Sequence, residues 1–451
     1  MIAVCIGLFL WIRRQGEGLI APAPPEGGAI QPGAASSGGS LLQVLVALVS
    51  IIVVSRALGW VFKRFHQPAV IGEVIAGILL GPSLLGWIAP ELSGMLFPGK
   101  VTPLLGVIAQ LGVLLFMFLV GLELNTDVLR EKTHFTVAIS HASIVTPFIL
   151  GSALALWLYP TLSTSNVSFT AFSLFLGISM SVTAFPVLAR ILTDRGMQGT
   201  RMGIVALTCA AVDDATAWCL LAFVVGVTQA RVWGAGITLL LTLVYIVAMF
   251  AVLRPLVLKA VARWANKPVL DQPVMAVICV VMLLSSLATA FIGIHTLFGA
   301  FLFGAIIPQD SVVARTLHSR LQDFVIVLLL PAFFAFTGLR TQIGLIHGDQ
   351  WLLCGLITLT ACVGRFGGTI VAARLTGMGW RDSASVGILM NTRGLMELIV
   401  LNIGLDLGVI SPRLFAMLVL MAVITTLATT PILDLLSRKS GSGMEMQTGA
   451  A

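Results

Sequence analysis

The sequence predicts an all-α polytopic membrane protein of about thirteen transmembrane helices, built as an inverted repeat. Three observations carry this: an apolar composition, basic loop charge that alternates from span to span, and short patterns that recur seven spans apart. Of 451 residues, 58% are hydrophobic and 10% charged, and the mean hydropathy is +1.04. A soluble domain is about 25% charged, so this chain lacks the polar surface to cover a water-soluble globule. The same numbers exclude a disordered chain, a collagen-like chain and a secreted disulfide scaffold. The net charge of +7 fits basic loops at a membrane better than a nucleic-acid face. Six scattered cysteines form no CxxC pair and read as small apolar helix residues, with no transition-metal site.

Taken in order, the first element is an N-terminal segment, 1–41. Its apolar start, Met1 to Ile12, is too short to span. Arg13 and Arg14 follow the apolar run where a signal peptide would have them precede it. Residues 15–40 are rich in Gly, Ala, Pro and Ser, so the segment is expected to be largely a flexible extracytoplasmic tail. The transmembrane domain covers 42–437. Apolar runs between charged or Pro/Gly turns place spans at 42–62, 69–88, 104–124, 136–158, 169–190, 201–228, 232–253, 271–291, 294–308, 323–340, 350–373, 383–405 and 413–436. Residues 438–451 are expected to form a short cytoplasmic tail, with no room in them for a soluble regulatory domain.

Loop charge tests the count. Loops after odd-numbered spans hold seventeen Lys and Arg; those after even-numbered spans, with the N-terminal tail, hold six. This positive-inside split puts the C-terminus in the cytoplasm and the N-terminus outside. An even number of spans would scramble it.

The recurring patterns run in the same order in both halves. Gly121-Leu122-Glu123 ends span 3 and Gly338-Leu339-Arg340 ends span 10. Gly177-Ile178 and Met180 of span 5 match Gly387-Ile388 and Met390 of span 12. Ala76-Gly77 to Gly81 of span 2 resembles Gly299-Ala300 to Gly304 of span 9. The offsets are 217, 210 and 223 residues. A shift of seven spans inverts the second copy, an architecture of many secondary transporters. Span 5 carries Ser181-Val182-Thr183-Ala184-Phe185-Pro186, and span 12 carries Asn391-Thr392-Arg393-Gly394 at the equivalent place. Proline removes a backbone donor, so span 5 either kinks at Pro186 or unwinds there. Polar side chains at both places could satisfy freed backbone groups if the helices unwind.

An ionisable residue deep in a span costs about 2.5–3.5 kcal/mol on insertion scales and is a functional candidate by default. Span 6 places Asp213 and Asp214 side by side near its centre. Burial favours the neutral form of a carboxylate, a second carboxylate favours it further, and a nearby cation opposes both. A group balanced between these effects can hold a proton or a cation but not both, which is the minimum chemistry of an exchanger. Arg365 lies mid-span in span 11 and needs a counter-anion, either Asp213 or Asp214. Gly364 and Gly368 allow close helix approach, and Thr146-Pro147 of span 4 packs beside this core. Arg393 and Glu397 are spaced i, i+4: they neutralise each other, or they support an unwound segment and line an ion path. His141 and His295 read as packed polar residues.

These motifs occur together in a known family. Ser181 through Arg190 followed by Val212-Asp213-Asp214-Ala215 resembles the monovalent cation:proton antiporter-2 family. Gly293-Ile294-His295, Pro331-Ala332-Phe333-Phe334 and Met390 through Leu398 look like its plant cation/H+ exchanger branch. The resemblance covers about residues 42–437. It implies thirteen helices with crossed, unwound spans 5 and 12, a mobile six-helix core, and a homodimer built on a scaffold domain. It implies that Asp214 binds the ion and the proton, that Asp213 pairs with the basic residue of span 11, and that Thr183 lies near the cation, with Pro186, Asn391, Thr392, Arg393 and Glu397 supporting the core. Relatives usually carry Lys at the place of Arg365. Arginine effectively never loses its proton, so Arg365 would neutralise Asp213 permanently and leave Asp214 as the one titrating carrier.

The chain therefore reads as a secondary transporter of the plasma or inner membrane, exchanging Na+ or K+ for protons by alternating access, with no cofactor and no nucleic-acid partner. The alternatives are a cation channel or a non-transporting membrane sensor on the same fold, and a symporter of organic anions. A filter sequence for the first is missing, and a buried Asp pair disfavours the last. No nucleophile–base set or phosphate loop supports an enzyme.

Overall fold

The structure is a computed structural model that describes residues 2–19, 40–65, 67–123, 134–197, 200–229, 232–264 and 271–438. In chain order its helices are α1 (Ile2–Gly16), α2 (Ser40–Arg64), α3 (Ala69–Leu80), the short α4 (Leu85–Ile88) and α5 (Pro90–Leu96), α6 (Val101–Glu123) and α7 (His134–Leu162). Then come α8 (Phe169–Ser181), α9 (Phe185–Asp194), α10 (Arg201–Gln229), α11 (Val232–Ala248), α12 (Arg254–Trp264), α13 (Gln272–Ile292), α14 (Thr296–Ile306) and α15 (Val312–Phe324). The last are α16 (Leu330–Arg340), α17 (Gln350–Cys362), α18 (Gly368–Leu375), α19 (Trp380–Met390), α20 (Leu395–Asp406) and α21 (Pro412–Arg438). Stretches of π-helix at Met249–Leu253, Val325–Leu329 and Val363–Gly367 join α11 to α12, α15 to α16 and α17 to α18.

Among the described residues ten helical stretches are long and apolar enough to cross a membrane, and the bent pair α19–α20 makes an eleventh. The shorter apolar helices α8 and α14 fall at predicted spans 5 and 9. Every predicted span is therefore helical, and thirteen is an approximate count. Boundaries differ where local chemistry overrides hydropathy. Span 2 is interrupted after Leu80, because Gly81 is extended and Pro82 follows. Span 10 begins eleven residues early, because the amphipathic α15, capped by the Ser311 hydroxyl, runs without a turn into the π-stretch before α16.

The helices sort into two bundles. α2, α3, α6, α13, α14 and α16 pack on one another, and α7 through α10 pack with α17 through α21; α11 leans on both α10 and α13. The first bundle displays the repeat directly. A Cβ on Gly121 of α6 would collide with the backbone of α14 at Phe301, Gly304 and Ala305, and one on Gly304 with α6 at Phe118. Gly338 of α16 meets Gly77 of α3 in the same way. Span 3 against span 9 is thus matched by span 10 against span 2, the swapped contact that a seven-span repeat requires, and small residues let these backbones touch.

Only the start of the N-terminal segment, residues 2–19, is described before α2. Residues 2–16 form α1, which lies against α7 and α8. Phe9 meets Phe148 with ring centroids 5.9 Å apart, Ile12 is buried, and Gly16 abuts the Phe169 ring. The run that is too short to span is long enough to bury one apolar stripe. Residues 20–39 and the tail from 439 lie outside the described residues.

Candidate ion site at two crossed helix breaks

The second bundle is organised around two interruptions. α8 stops at Ser181, Val182 is extended, and α9 starts at Phe185. Pro186 is therefore the second residue of a new half-helix, where its missing N–H costs nothing, and unwinding wins over a simple kink. α19 stops at Met390, and α20 starts at Leu395 at 44° to it. The breaks touch: the Ala184 N–H donates to the Thr392 carbonyl at 3.1 Å.

Each half-helix ends inside the protein, so its last carbonyls need donors. Arg393 donates through Nη1 to the Ser179 carbonyl at 3.0 Å and through Nη2 to that of Met180 at 2.9 Å. Arg365 donates through Nη1 to the Ser181 carbonyl and through Nε to that of Met390 at 2.6 Å. On α19 the remaining carbonyls accept from within: Gly387 and Ile388 from the Asn391 N–H, and Leu389 from the Thr392 N–H. Two fully buried guanidinium groups thus stand at the negative ends of the half-helices, where a cation is favoured. Arg365 belongs to the π-stretch Val363–Gly367, the kind of bulge that recurs at functional sites. Gly364 and Gly368 bring that stretch against Pro147 and Thr146 of α7, as the sequence predicts.

The adjacent aspartates differ sharply. Neighbouring helical residues point about 100° apart, so the two carboxylates face different walls. Asp213 is saturated: its Oδ1 accepts from the Ser140 hydroxyl at 2.6 Å. Its Oδ2 accepts from Ser143 at 2.6 Å, Thr183 at 2.9 Å and Arg365 Nη2 at 2.9 Å. Asp214 is as buried, at 3% exposed. The Phe185 N–H that opens α9 acts on it, yet among the described residues neither oxygen completes a hydrogen bond of good geometry. Of the residue-level alternatives for Arg365, the structure selects Asp213. Thr183 lies in the first break, with its hydroxyl proton given to Asp213.

Arg393 Nη1 is 3.2 Å from Glu397 Oε2, an ion pair without hydrogen-bond geometry. Arg393 thus neutralises Glu397 and also caps α8. The Asn391 side chain bonds the Cys362 sulfur through Nδ2, at 3.6 Å, and among the described residues its Oδ1 and the Thr392 hydroxyl are buried without partners. Unpaired oxygens of Asp214, Asn391 and Thr392 thus come from the elements that meet at the crossing. They are hard, neutral or anionic donors of the type that alkali and alkaline-earth cations take. Ser140 and Ser143 were not among the expected site residues. Their signal was a polar i, i+3 pair on one face of an apolar helix.

Residues 44–436 match the family described as sodium/hydrogen exchanger, transmembrane. The chain is 44% identical over 396 residues to the Na+/H+ antiporter NhaS4 of Synechocystis sp., covering 87% of this chain and 97% of that protein. It is 40% identical to cation/H+ antiporter 20 of Arabidopsis thaliana and 34% identical to K+/H+ antiporter 1 of Saccharomyces cerevisiae. These matches cover 86% and 85% of this chain but 48% and 45% of the relatives, so the chain spans about half the length of these plant and yeast proteins. Among solved structures, the sodium proton antiporter MjNhaP1 of Methanocaldococcus jannaschii superposes with a TM-score of 0.66 at 12% identity, covering 89% of this chain and 100% of that one. That likeness concerns the fold. With two crossed helix breaks, a saturated and an unsaturated aspartate, and these relatives, the chain belongs to the sodium/hydrogen exchanger family.

Proposed function

We propose that the protein exchanges a monovalent cation, Na+ or K+, for protons by alternating access, with Asp214 as the carrier. The observation that carries this reading is the contrast between two adjacent carboxylates, Asp213 held by four side-chain donors and Asp214 by no side-chain donor among the described residues. Charge balance supports it. Asp213 is paired with Arg365 and Glu397 with Arg393, so among the described residues of the second bundle Asp214 is the buried charge left over. The core is neutral when Asp214 holds one proton or one monovalent cation, and only then is its passage through the low-dielectric bilayer inexpensive. This favours one-for-one exchange, because both loaded forms are neutral. Because Arg365 keeps its proton, Asp213 stays neutralised throughout the cycle.

In the cycle, protonated Asp214 releases H+ on one side, takes a cation that sheds part of its hydration, and the second bundle moves against the first. Oxygens of Asn391 and Thr392 replace lost water. The first bundle serves as scaffold and homodimer platform, and the outward apolar side chains of α2, among them Leu42, Val49 and Trp60, face lipid or a second copy. The C-terminus lies in the cytoplasm and the N-terminus outside, in the plasma or inner membrane.

A pH-jump assay in proteoliposomes with a series of cations tests the reading. Wild type is expected to dissipate the gradient with Na+ or K+, with apparent cation affinity falling as pH falls because proton and cation compete for one carboxylate. Asp214→Asn is expected to drop to the rate of empty vesicles; undiminished exchange in that variant would sink the mechanism.

A further inference from the structure

The helix α1 does more than cover its neighbours. Between it and α7, α8 and α10 lies a cavity of about 610 Å3, walled by Phe9 and Leu10 of α1, Phe148, Leu174 and Phe223. Its size and apolar wall are those of a ligand site with few polar groups. The polar groups are sorted by position. The Phe9–Phe148 and Gly16–Phe169 contacts run α1 parallel to α7. Arg13 therefore lines the cavity at the end near Phe169, while His141 and Thr216 line the other end. Arg13 gives its Nε to Glu17 at 2.6 Å, which leaves the terminal amino groups of its fork for an anion, and Arg14 adds a second positive charge beside it. Against the Glu17 carboxylate the two arginines leave that end with one net positive charge, and the body is apolar. The cavity is open along one side, since its lining residues Ile6, Leu10 and Phe223 are 56%, 53% and 41% exposed.

We infer that this cavity binds one acyl chain of an anionic phospholipid from the bilayer, with the headgroup held at Arg13. The wall behind the chain is the stretch of α7 that holds the ion site. His141, Ile144 and Val145 face the cavity. From the same turns Ser140 and Ser143 donate to Asp213, and the Ile144 carbonyl accepts from Ser181 at 3.0 Å. A bound chain would press on the turns that position Asp213 without touching the ion path. The inference stands apart from the exchange reading, since its test reads lipid binding and not transport.

The test is photo-crosslinking of the full-length protein in phosphatidylcholine vesicles containing phosphatidylglycerol with a photoreactive acyl chain, followed by peptide mapping. Label is expected to concentrate on residues 5–10 and on the peptides of Phe148 and Phe223. It should fall about five-fold with a zwitterionic probe or in Arg13→Glu. It should be lost in Ile6→Trp and Leu10→Trp, two exposed positions of which either suffices if the other variant misfolds. Label spread evenly over the outward face of α13 as well, or unchanged in the filled variants, would overturn the site. Equal or stronger labelling by a photoreactive fatty acid would overturn its assignment to phospholipid.

Discussion

The two helix breaks occupy equivalent places in an inverted repeat, yet they are held in different ways. The first, Val182 to Ala184 between α8 and α9, carries no charge of its own. Its exposed carbonyls at Ser179, Met180 and Ser181 are capped from outside, by Arg393 and Arg365. The second, Asn391 to Gly394 between α19 and α20, brings its own cation in Arg393 and its own anion in Glu397, and it satisfies most of its carbonyls internally. Duplication thus supplied two broken helices, and divergence made one the receiver and the other the donor of charge. The receiver is the break beside Asp213 and Asp214, where Phe185 acts on Asp214. A donor side chain in that break would compete with a transported cation, whereas one in the partner break stabilises the same carbonyls from behind.

The largest expected effect comes from removing the donor. Arg393→Ala leaves Glu397 buried and unpaired and uncaps Ser179 and Met180. Breaking a buried pair on one side costs about 3–5 kcal/mol, so the variant should fail to yield monodisperse protein in detergent. Replacing both members with apolar residues, Arg393→Met with Glu397→Leu, should recover folded protein more than either single change. A single variant as thermostable as wild type would break the comparison.

Arg365 serves both breaks and should come next. Arg365→Lys replaces a three-pronged fork with one point charge that can lose its proton. Bonds to Met390, Ser181 and Asp213 cannot all survive, and stability should fall by roughly 2–3 kcal/mol. The sharper readout is voltage. Wild type should turn over at a rate independent of an imposed potential at saturating cation, and the Lys variant should become voltage-dependent if its ammonium joins the proton cycle. Strong voltage dependence in wild type would remove Arg365 as a fixed neutraliser.

Much of this arrangement was readable from residue order. Thirteen apolar runs, Pro186 after a polar stretch, the polar run at Asn391 and paired aspartates with Arg365 located both breaks and the charges around them. What stayed hidden is three-dimensional. The i, i+4 spacing of Arg393 and Glu397 shows their pairing but not the reach of the guanidinium to carbonyls more than two hundred residues earlier. Serine in an apolar helix usually bonds its own preceding turn, so the i, i+3 spacing of Ser140 and Ser143 was an ambiguous signal until α10 was placed beside α7. The π-stretch that aims Arg365 depends on backbone registration, which hydropathy does not encode. A short apolar N-terminal run reads as tail until a groove that fits it is known.

A smaller effect should follow from thinning the support of Asp213. Thr183→Val removes one of four donors to that carboxylate and should cost about 1.5–3 kcal/mol, the range for a bond to a charged group. Thr183→Ser should restore it. Exchange should persist in Thr183→Val at a reduced rate with Asp214 still the carrier. Loss as complete as in Asp214→Asn would mean that Thr183 holds the cation directly.

The smallest effect lies at the far ends of the two second half-helices, where the asymmetry between the breaks reappears. α9 runs out at Arg195, which pairs with Asp434 of α21 at 2.7 Å, within the same bundle. α20 runs out at Asp406, which pairs with Arg340 of α16 at 2.6 Å, across to the other bundle. Arg340 also donates to Asn402 at 3.1 Å, and Asn402 donates to Thr337 of α16 at 2.8 Å. If the bundles slide during exchange, the Arg340 contacts must break on each turnover and the Arg195 contact need not. Both ion pairs are partly exposed, so each is worth at most about 1 kcal/mol, or about five-fold in a rate. Asp406→Asn should therefore shift turnover by no more than that, with apparent cation affinity nearly unchanged, and Asp434→Asn should leave both alone. The direction is informative: a contact made in only one arrangement slows exit from it, so turnover should rise in Asp406→Asn if that exit limits the cycle. Equal shifts in the two variants would show that the pairs act on folding alone, and that the second break is not the one tied to the scaffold.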